Sequence, residues 1–317
     1  MPLQNNGCYM MRRREFLAAA CAAPLLAAKN HIGRSRFSFI TDEAAATPAD
    51  AIAFAHKYEL QYVELREVPG AKLHYCKLPE ADLKLAAKEF KDNGLKISFF
   101  NTPYLKITLP GTEPIRRRTE APDAREKRIA RDQAEFDRRN DDLKQGIRAA
   151  QILGATQMRL FTFLRVAEPA KVEQRIAEIL GEMARVADKE GMKILVENEG
   201  SCNVATSPEL ASMVNLLPEK SVGLNWDPHN AFGAPFKEVA YPDGYRVLPK
   251  KRIGNLQTKG KSLLEATEKI DWTSIFHALE RDGYQGKIGL ETHYFDGTKI
   301  EKSHRSMQEM LRIAETS

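Results

Sequence analysis

Eight short runs rich in Val, Ile, Leu and Phe recur along the chain from residue 36: RFSFIT, QYVELREV, LKISFF, QMRLFTF, KILVEN, VGLNW, RIGNLQ and KIGLET. Most are separated by roughly 30 residues, the spacing of parallel strands joined by crossover helices. The intervening segments read as amphipathic helices with clear punctuation. Thr47 is placed to cap a helix with Pro48 at its first position, Ser207-Pro208 opens another, and Asp271 caps a third. Gly94 and Gly191 are placed to stop two more. Eight such units predict an α/β chain folded as a single (β/α)8 TIM barrel. A doubly wound dinucleotide fold is disfavoured, because no Gly-x-Gly-x-x-Gly follows any strand.

The first 28 residues stand outside this rhythm. Arg13 and Arg14 precede Phe16-Leu17 and a weakly apolar Ala/Leu stretch that ends near Ala28. This resembles a twin-arginine export signal, so residues 1–28 are read as the signal, 29–317 as the barrel, and the mature protein as periplasmic. Loss of Arg12, Arg13, Arg14 and Glu15 would lower the formal charge from +5 to +3. Only Cys76 and Cys202 would then remain, too few and too far apart in sequence for a disulfide framework. No apolar run approaches the ~20 residues of a membrane span. Residues 116–144 hold ten basic and eight acidic side chains, interspersed, which predicts a solvated helix laced with i,i+4 pairs rather than a nucleic-acid surface.

In a barrel, chemistry sits at the carboxyl ends of the strands. Strand five ends VENEG, with Glu197 and Glu199. Strand six ends WDPHN, with Asp227 and His229. Strand seven ends LQTKG, with Gln257 and Lys259, and strand eight ends LETHY, with Glu291 and His293. Residues i and i+2 share a face, so each strand can present both toward the mouth. Any one of these has an ordinary structural role open to it: Asp227 as a helix cap, Glu197 as a lysine partner, Gln257 as a partner for loop amides. Three carboxylates converging on one mouth, however, repel unless a cation sits among them or their pKa values shift. Three carboxylates and one amide oxygen form a hard donor set for one divalent ion, Mn2+ or Mg2+ ahead of Co2+ or Zn2+.

With ITDE at strand one, YVELR at strand two and Glu197, Asp227 and Glu291 at the strand ends, residues 36–315 resemble the xylose-isomerase-like TIM barrels of the sugar phosphate isomerase/epimerase superfamily. The resemblance implies that Glu197, Asp227, Gln257 and Glu291 hold the metal and that Glu197 and Glu291 form the acid/base pair. It implies a sugar isomerase or epimerase acting on a keto- or aldo-sugar through a metal-stabilised enediolate. Two departures stand out. Many isomerases and epimerases carry histidine where this chain has Gln257, and glutamine there resembles dehydratase branches, which keeps a keto-sugar, keto-polyol or 3-keto-glycoside lyase as the alternative. Many epimerases also carry histidine three residues after the strand-six aspartate, where this chain has Asn230, with His229 one place earlier.

Glu64, Arg66, His229, Lys259 and His293 are expected to contact substrate, an internal salt bridge being the other reading for Glu64 and Arg66. Export, and the lack of a Gly-rich phosphate cradle, favour a free sugar, keto-polyol or oxidised glycoside over a sugar phosphate. Endonuclease IV shares the barrel but resembles a histidine-rich three-metal site, against seven histidines and a nearly balanced charge here. A non-catalytic sugar-binding barrel is opposed by the intact carboxylates. A homo-oligomer is left open.

Overall fold

The computed structural model describes residues 31–115 and 120–316. Residues 1–28, read above as an export signal, lie outside the described residues. Eight parallel strands run β1 Phe37–Phe39, β2 Tyr62–Leu65, β3 Lys96–Phe100, β4 Gln157–Leu160, β5 Lys193–Glu197, β6 Val222–Trp226, β7 Ile253–Lys259 and β8 Lys287–Glu291. They hydrogen-bond in the order β1-β8-β7-β6-β5-β4-β3-β2. A parallel bridge between Ile40 and Glu64 joins the two end strands and closes the sheet into a barrel. Each strand overlaps the apolar run expected to form it, because such runs are buried on both faces.

The principal helices are α1 Pro48–Lys57, α2 Glu80–Asp92, α3 Pro122–Asp137, α4 Arg139–Leu153, α5 Glu173–Lys189, α6 Ser207–Asn215, α7 Trp272–Arg281 and α8 Lys299–Glu315. Thr47 and Asp271 cap α1 and α7, their side chains accepting from the amides of Asp50 and Ser274. The cap of α6 is Thr206, which forms a reciprocal box with Glu209, and Ser207-Pro208 are its first helical residues. Beyond α2 and α5, Gly94 and Gly191 take positive φ and turn the chain back.

Two features depart from the expected pattern. Between β6 and β7 the described chain makes only short helical turns, since Pro235, Pro242 and Pro249 with Gly233 and Gly244 interrupt any longer helix. The charged stretch, where described, is not one solvated helix. It breaks at Arg138 into α3 and α4, and Arg128 and Asp132 are buried. Asp132 accepts from the amide and hydroxyl of Thr108, at 3.1 and 2.6 Å. Arg128 holds Glu113, Glu120 and the Thr108 hydroxyl. The pair therefore anchors the long β3 loop over the barrel, while Lys127–Asp123 and Arg138–Asp142 supply the expected i,i+4 contacts.

Candidate active site

The inner faces of the strands are polar over two tiers. In the lower tier Glu64 is sealed from solvent and accepts from four neutral donors. Ser38 Oγ and Asn255 Nδ2 lie at 3.0 Å from Oε1, and Asn101 Nδ2 and Gln257 Nε2 at 2.9 and 3.1 Å from Oε2. Gly289 leaves the room for this carboxylate, because a Cβ there would collide with it. Burial raises the pKa of Glu64, with the four donors opposing. Neither expected role is seen for Glu64. It does not reach the mouth, and Arg66 pairs with other carboxylates.

Gln257 belongs to the same tier. Its amide nitrogen donates to Glu64 and, at 3.0 Å, to Asn101 Oδ1; its oxygen accepts from Asn225 Nδ2 at 2.9 Å. That same Asn225 amide reaches Glu197 Oε2 at 2.6 Å. Gln257 thus lies next to the carboxylates and is held by the layer beneath them.

The upper tier is the mouth. Glu197, Asp227 and Glu291, all buried, each offer an oxygen within 4.8 Å of the others. Strand geometry explains the convergence: each carboxylate stands at or just past the end of its own strand, β5, β6 or β8. Asn198 locks two of these ends together, exchanging hydrogen bonds with both the backbone amide and carbonyl of Asp227 at 2.9 and 2.7 Å. Asp227 Oδ1 caps the next turn by accepting from the amides of His229 and Asn230. Its Oδ2 is buried without an aligned hydrogen bond, although the Lys259 ammonium lies 2.9 Å away. Lys259 also donates to Glu291 Oε2 at 2.9 Å.

Burial raises the pKa of Glu197; Glu291 and Asp227 add to this, while Arg159, 2.9 Å from its Oε2, and Lys259 oppose it. Burial also acts on Glu291, but there Lys259, His293 and Arg66 prevail and hold the carboxyl well below the ordinary range. Burial raises Asp227. For Lys259 burial favours the neutral amine, yet Asp227, Glu291 and Glu197 together keep it an ammonium, with its pKa raised.

Arg66 connects this cluster to a second group. Its guanidinium bridges Glu291 Oε1 at 3.0 Å, Asp42 Oδ2 and Glu43. His293 sits on top with a positive φ, its amide bonded to Glu43 and its Nδ1 3.4 Å from Glu291 Oε1. His229 stacks on Phe232 and holds Glu268 through Nε2 at 2.9 Å.

The structure therefore brings Glu197, Asp227, Glu291, Lys259, Arg66 and His293 together, with His229 at the edge and Glu64 and Gln257 below. Arg159, Asn225 and Asn255 were not anticipated, and Asp42 and Glu43 were noted only within the ITDE run, without a role in the site. The one local signal was the lone arginine inside the apolar run QMRLFTF, since a charge in a strand buried on both faces needs a partner.

An eight-stranded barrel with carboxylates gathered at its carboxyl-end mouth defines the class of TIM-barrel proteins whose site is built on βα loops. Residues 52–314 match the model of the xylose isomerase-like TIM barrel, and the chain belongs to that family. No curated protein sequence matches the chain. Among solved structures it is similar to the 3-keto-D-glucoside 4-epimerase YcjR from E. coli, with a TM-score of 0.63, 11% identity, and 89% of this chain and 100% of that one covered. It is similar to an L-ribulose 3-epimerase at TM-score 0.63 and 17% identity, covering 89% and 96% of the two chains. It is also similar to the IOLI protein with a bound zinc atom at TM-score 0.60 and 15% identity, covering 89% and 98%. At these identities the likeness shows a shared fold. Among the described residues no helix is long and apolar enough to cross a membrane.

Proposed function

We propose that this protein is a divalent-metal-dependent sugar epimerase or isomerase, exported by the twin-arginine route to the periplasm. The observation that carries the reading is the buried triad Glu197, Asp227 and Glu291, with Glu197 and Glu291 pushed toward opposite protonation states. Paired groups whose environments drive their pKa values apart are how one site supplies both an acid and a base. The epimerase activities named for the structural neighbours support the same chemistry.

The donor chemistry fits a hard divalent ion. Three carboxylates converge, one of them with an oxygen that lacks an aligned donor. Glu197, Asp227 and Glu291 would hold the ion, with Gln257 as the neutral fourth donor, and Mn2+ or Mg2+ suits that set. Such an ion, when bound, polarises a sugar carbonyl and acidifies the adjacent C–H.

The chain's own groups divide the proton work. Glu291, kept ionised by Lys259 and Arg66, takes the proton from the carbon beside the carbonyl. Glu197 returns a proton to that carbon or to its neighbour, giving an epimer or an isomer. Lys259 and His293 face the same cavity and donate to the sugar oxygens. The test is to incubate Mn2+-loaded full-length protein with 3-keto-glucosides, inososes and free ketoses and to identify products by NMR. An epimer or isomer supports the reading. An unsaturated or aglycone-free product places the protein with the lyases, and turnover by metal-stripped protein overturns the metal dependence.

A further inference from the structure

Two cavities open on the face that carries the site. One, of about 390 Å3, is lined by His229, Lys259, His293, Tyr294 and Phe295 and has the Lys259 ammonium against Asp227 and Glu291 at its base. The other, of about 450 Å3, lies among the loops that follow β3, β4, β5 and β6. Pro114, Ile115 and Leu164 form part of its wall, Pro235 and Phe236 another part, and Gly200 and Ser201 belong to the loop that follows Glu197. Gly200 borders the second cavity and lies beside the Asp227 loop. A Cβ there would sit 3.1 Å from the carbonyl of Asn230, in the Asp227 loop, and 3.6 Å from the Phe236 ring.

The walls of the two cavities differ in chemistry. The first is lined by two lysines, two histidines and Asp296, together with Tyr294 and Phe295. In the second, the lining cation among the described residues is Arg165, and its charge is already committed. It pairs with Glu209 at 2.7 Å, donates to the carbonyl of Asn203 at 3.0 Å, and lies with its guanidinium carbon 4.9 Å from the centre of the Phe236 ring. That contact fixes one face of the Phe236 ring against a rigid partner. Apart from Gly200 and Ser201, the other described lining residues are proline, leucine and isoleucine, suited to a flat, uncharged ring stacked on apolar side chains.

We propose that the substrate is a glycoside, its reacting sugar in the Lys259 cavity and its aglycone ring in the Phe236 cavity, with the glycosidic linkage passing over Gly200. This rests on the epimerase reading for the reacting half, and the subsite itself stands on the second cavity alone. The lining of that cavity includes none of Glu197, Asp227 and Glu291, so it offers a wall separate from the carboxylates for a second group on the sugar.

The test compares phenyl and methyl glycosides on the full-length, Mn2+-loaded protein. Calorimetric titration with phenyl and methyl β-D-glucosides should show the phenyl compound binding roughly tenfold tighter, the scale of one buried aromatic contact. Phe236→Ala should erase that advantage. Ile115→Asp, at a position 60% exposed and therefore safe for folding, should reduce it by placing a charge in the wall. The matching 3-keto-glucosides should show the same preference in KM, with a smaller effect on kcat. Equal affinity for phenyl and methyl compounds, or an equal loss for both in the two variants, overturns the subsite. If no sugar is turned over while the phenyl preference and its loss in Phe236→Ala persist, the subsite stands and the epimerase reading falls.

Discussion

The ammonium of Lys259 stands 2.9 Å from Glu291 Oε2, and both groups are almost completely buried. Lys259→Met keeps the aliphatic stem and removes the charge that most strongly holds Glu291 ionised. The acid limb of the pH–rate profile should move to higher pH, and kcat should fall by about 10²-fold, the lower end of general acid–base contributions. An acid limb unmoved by the substitution would show that Lys259 does not set the protonation of Glu291.

Arg159 and Glu197 form a second buried pair, at 2.9 Å. Removing one partner leaves a charge without compensation in the barrel interior. Arg159→Met alone should therefore lower stability by about 3–5 kcal/mol at pH values above the raised pKa of Glu197, where the carboxylate is ionised, and by less below it. Combining it with Glu197→Gln should restore most of that loss, because the remaining buried group is then neutral. Urea unfolding of the two single variants and the double variant measures the coupling directly.

Glu64 and Gly289 are matched in shape. A methyl at position 289 would be driven into the Glu64 carboxylate, so Gly289→Ala should cost about 1–3 kcal/mol through overpacking. Glu64→Gln should also destabilise, by about 1–3 kcal/mol, because its amide turns two new N–H groups toward a ring of donors. Thermal melts of each variant check both values. A neutral Glu64→Gln would mean that the donor ring rearranges freely.

Stability should depend on acid through Glu291. Its folded-state pKa lies well below the ordinary carboxylate value, so the ionised form contributes stability that is fully present above the unfolded value of about 4.3. That contribution is lost as pH falls through the unfolded value toward the folded one. Glu197 and Asp227, both raised mainly by burial, act in the opposite sense. The difference in melting temperature between wild type and Glu291→Gln should therefore shrink steadily as pH drops below about 4.

How much of this was legible in the sequence follows the physics of each feature. The strands, the caps at Thr47 and Asp271 and the stops at Gly94 and Gly191 rest on local chemistry, which a sequence displays. Glu197, Asp227 and Glu291 were visible because they occur at the same point of β5, β6 and β8. The lower tier was not. Asn225, Asn255 and Asn101 acquire meaning only when closure of the barrel brings β2, β3, β6 and β7 around one interior, and nothing local marks an asparagine as part of a shared network. Arg128 and Asp132 were hidden for the same reason: their partner is Thr108, in another loop. Gln257 was legible as a polar residue near the end of strand seven, while its place in the lower tier, tethered to Glu64, depends on a strand far away in sequence.

The central claim is that Glu291 and Glu197 move a proton at a sugar carbon, and hydrogen exchange reads this most directly. Mn2+-loaded wild type, Glu291→Gln and Glu197→Gln are incubated in D2O with a 3-keto-glucoside, and the recovered sugar is examined by NMR. The account predicts deuterium at the carbon next to the carbonyl with wild type. It predicts at least a hundredfold slower incorporation with Glu291→Gln, and exchange without net epimerisation with Glu197→Gln. Wild-type product free of deuterium, or undiminished exchange in Glu291→Gln, would contradict it.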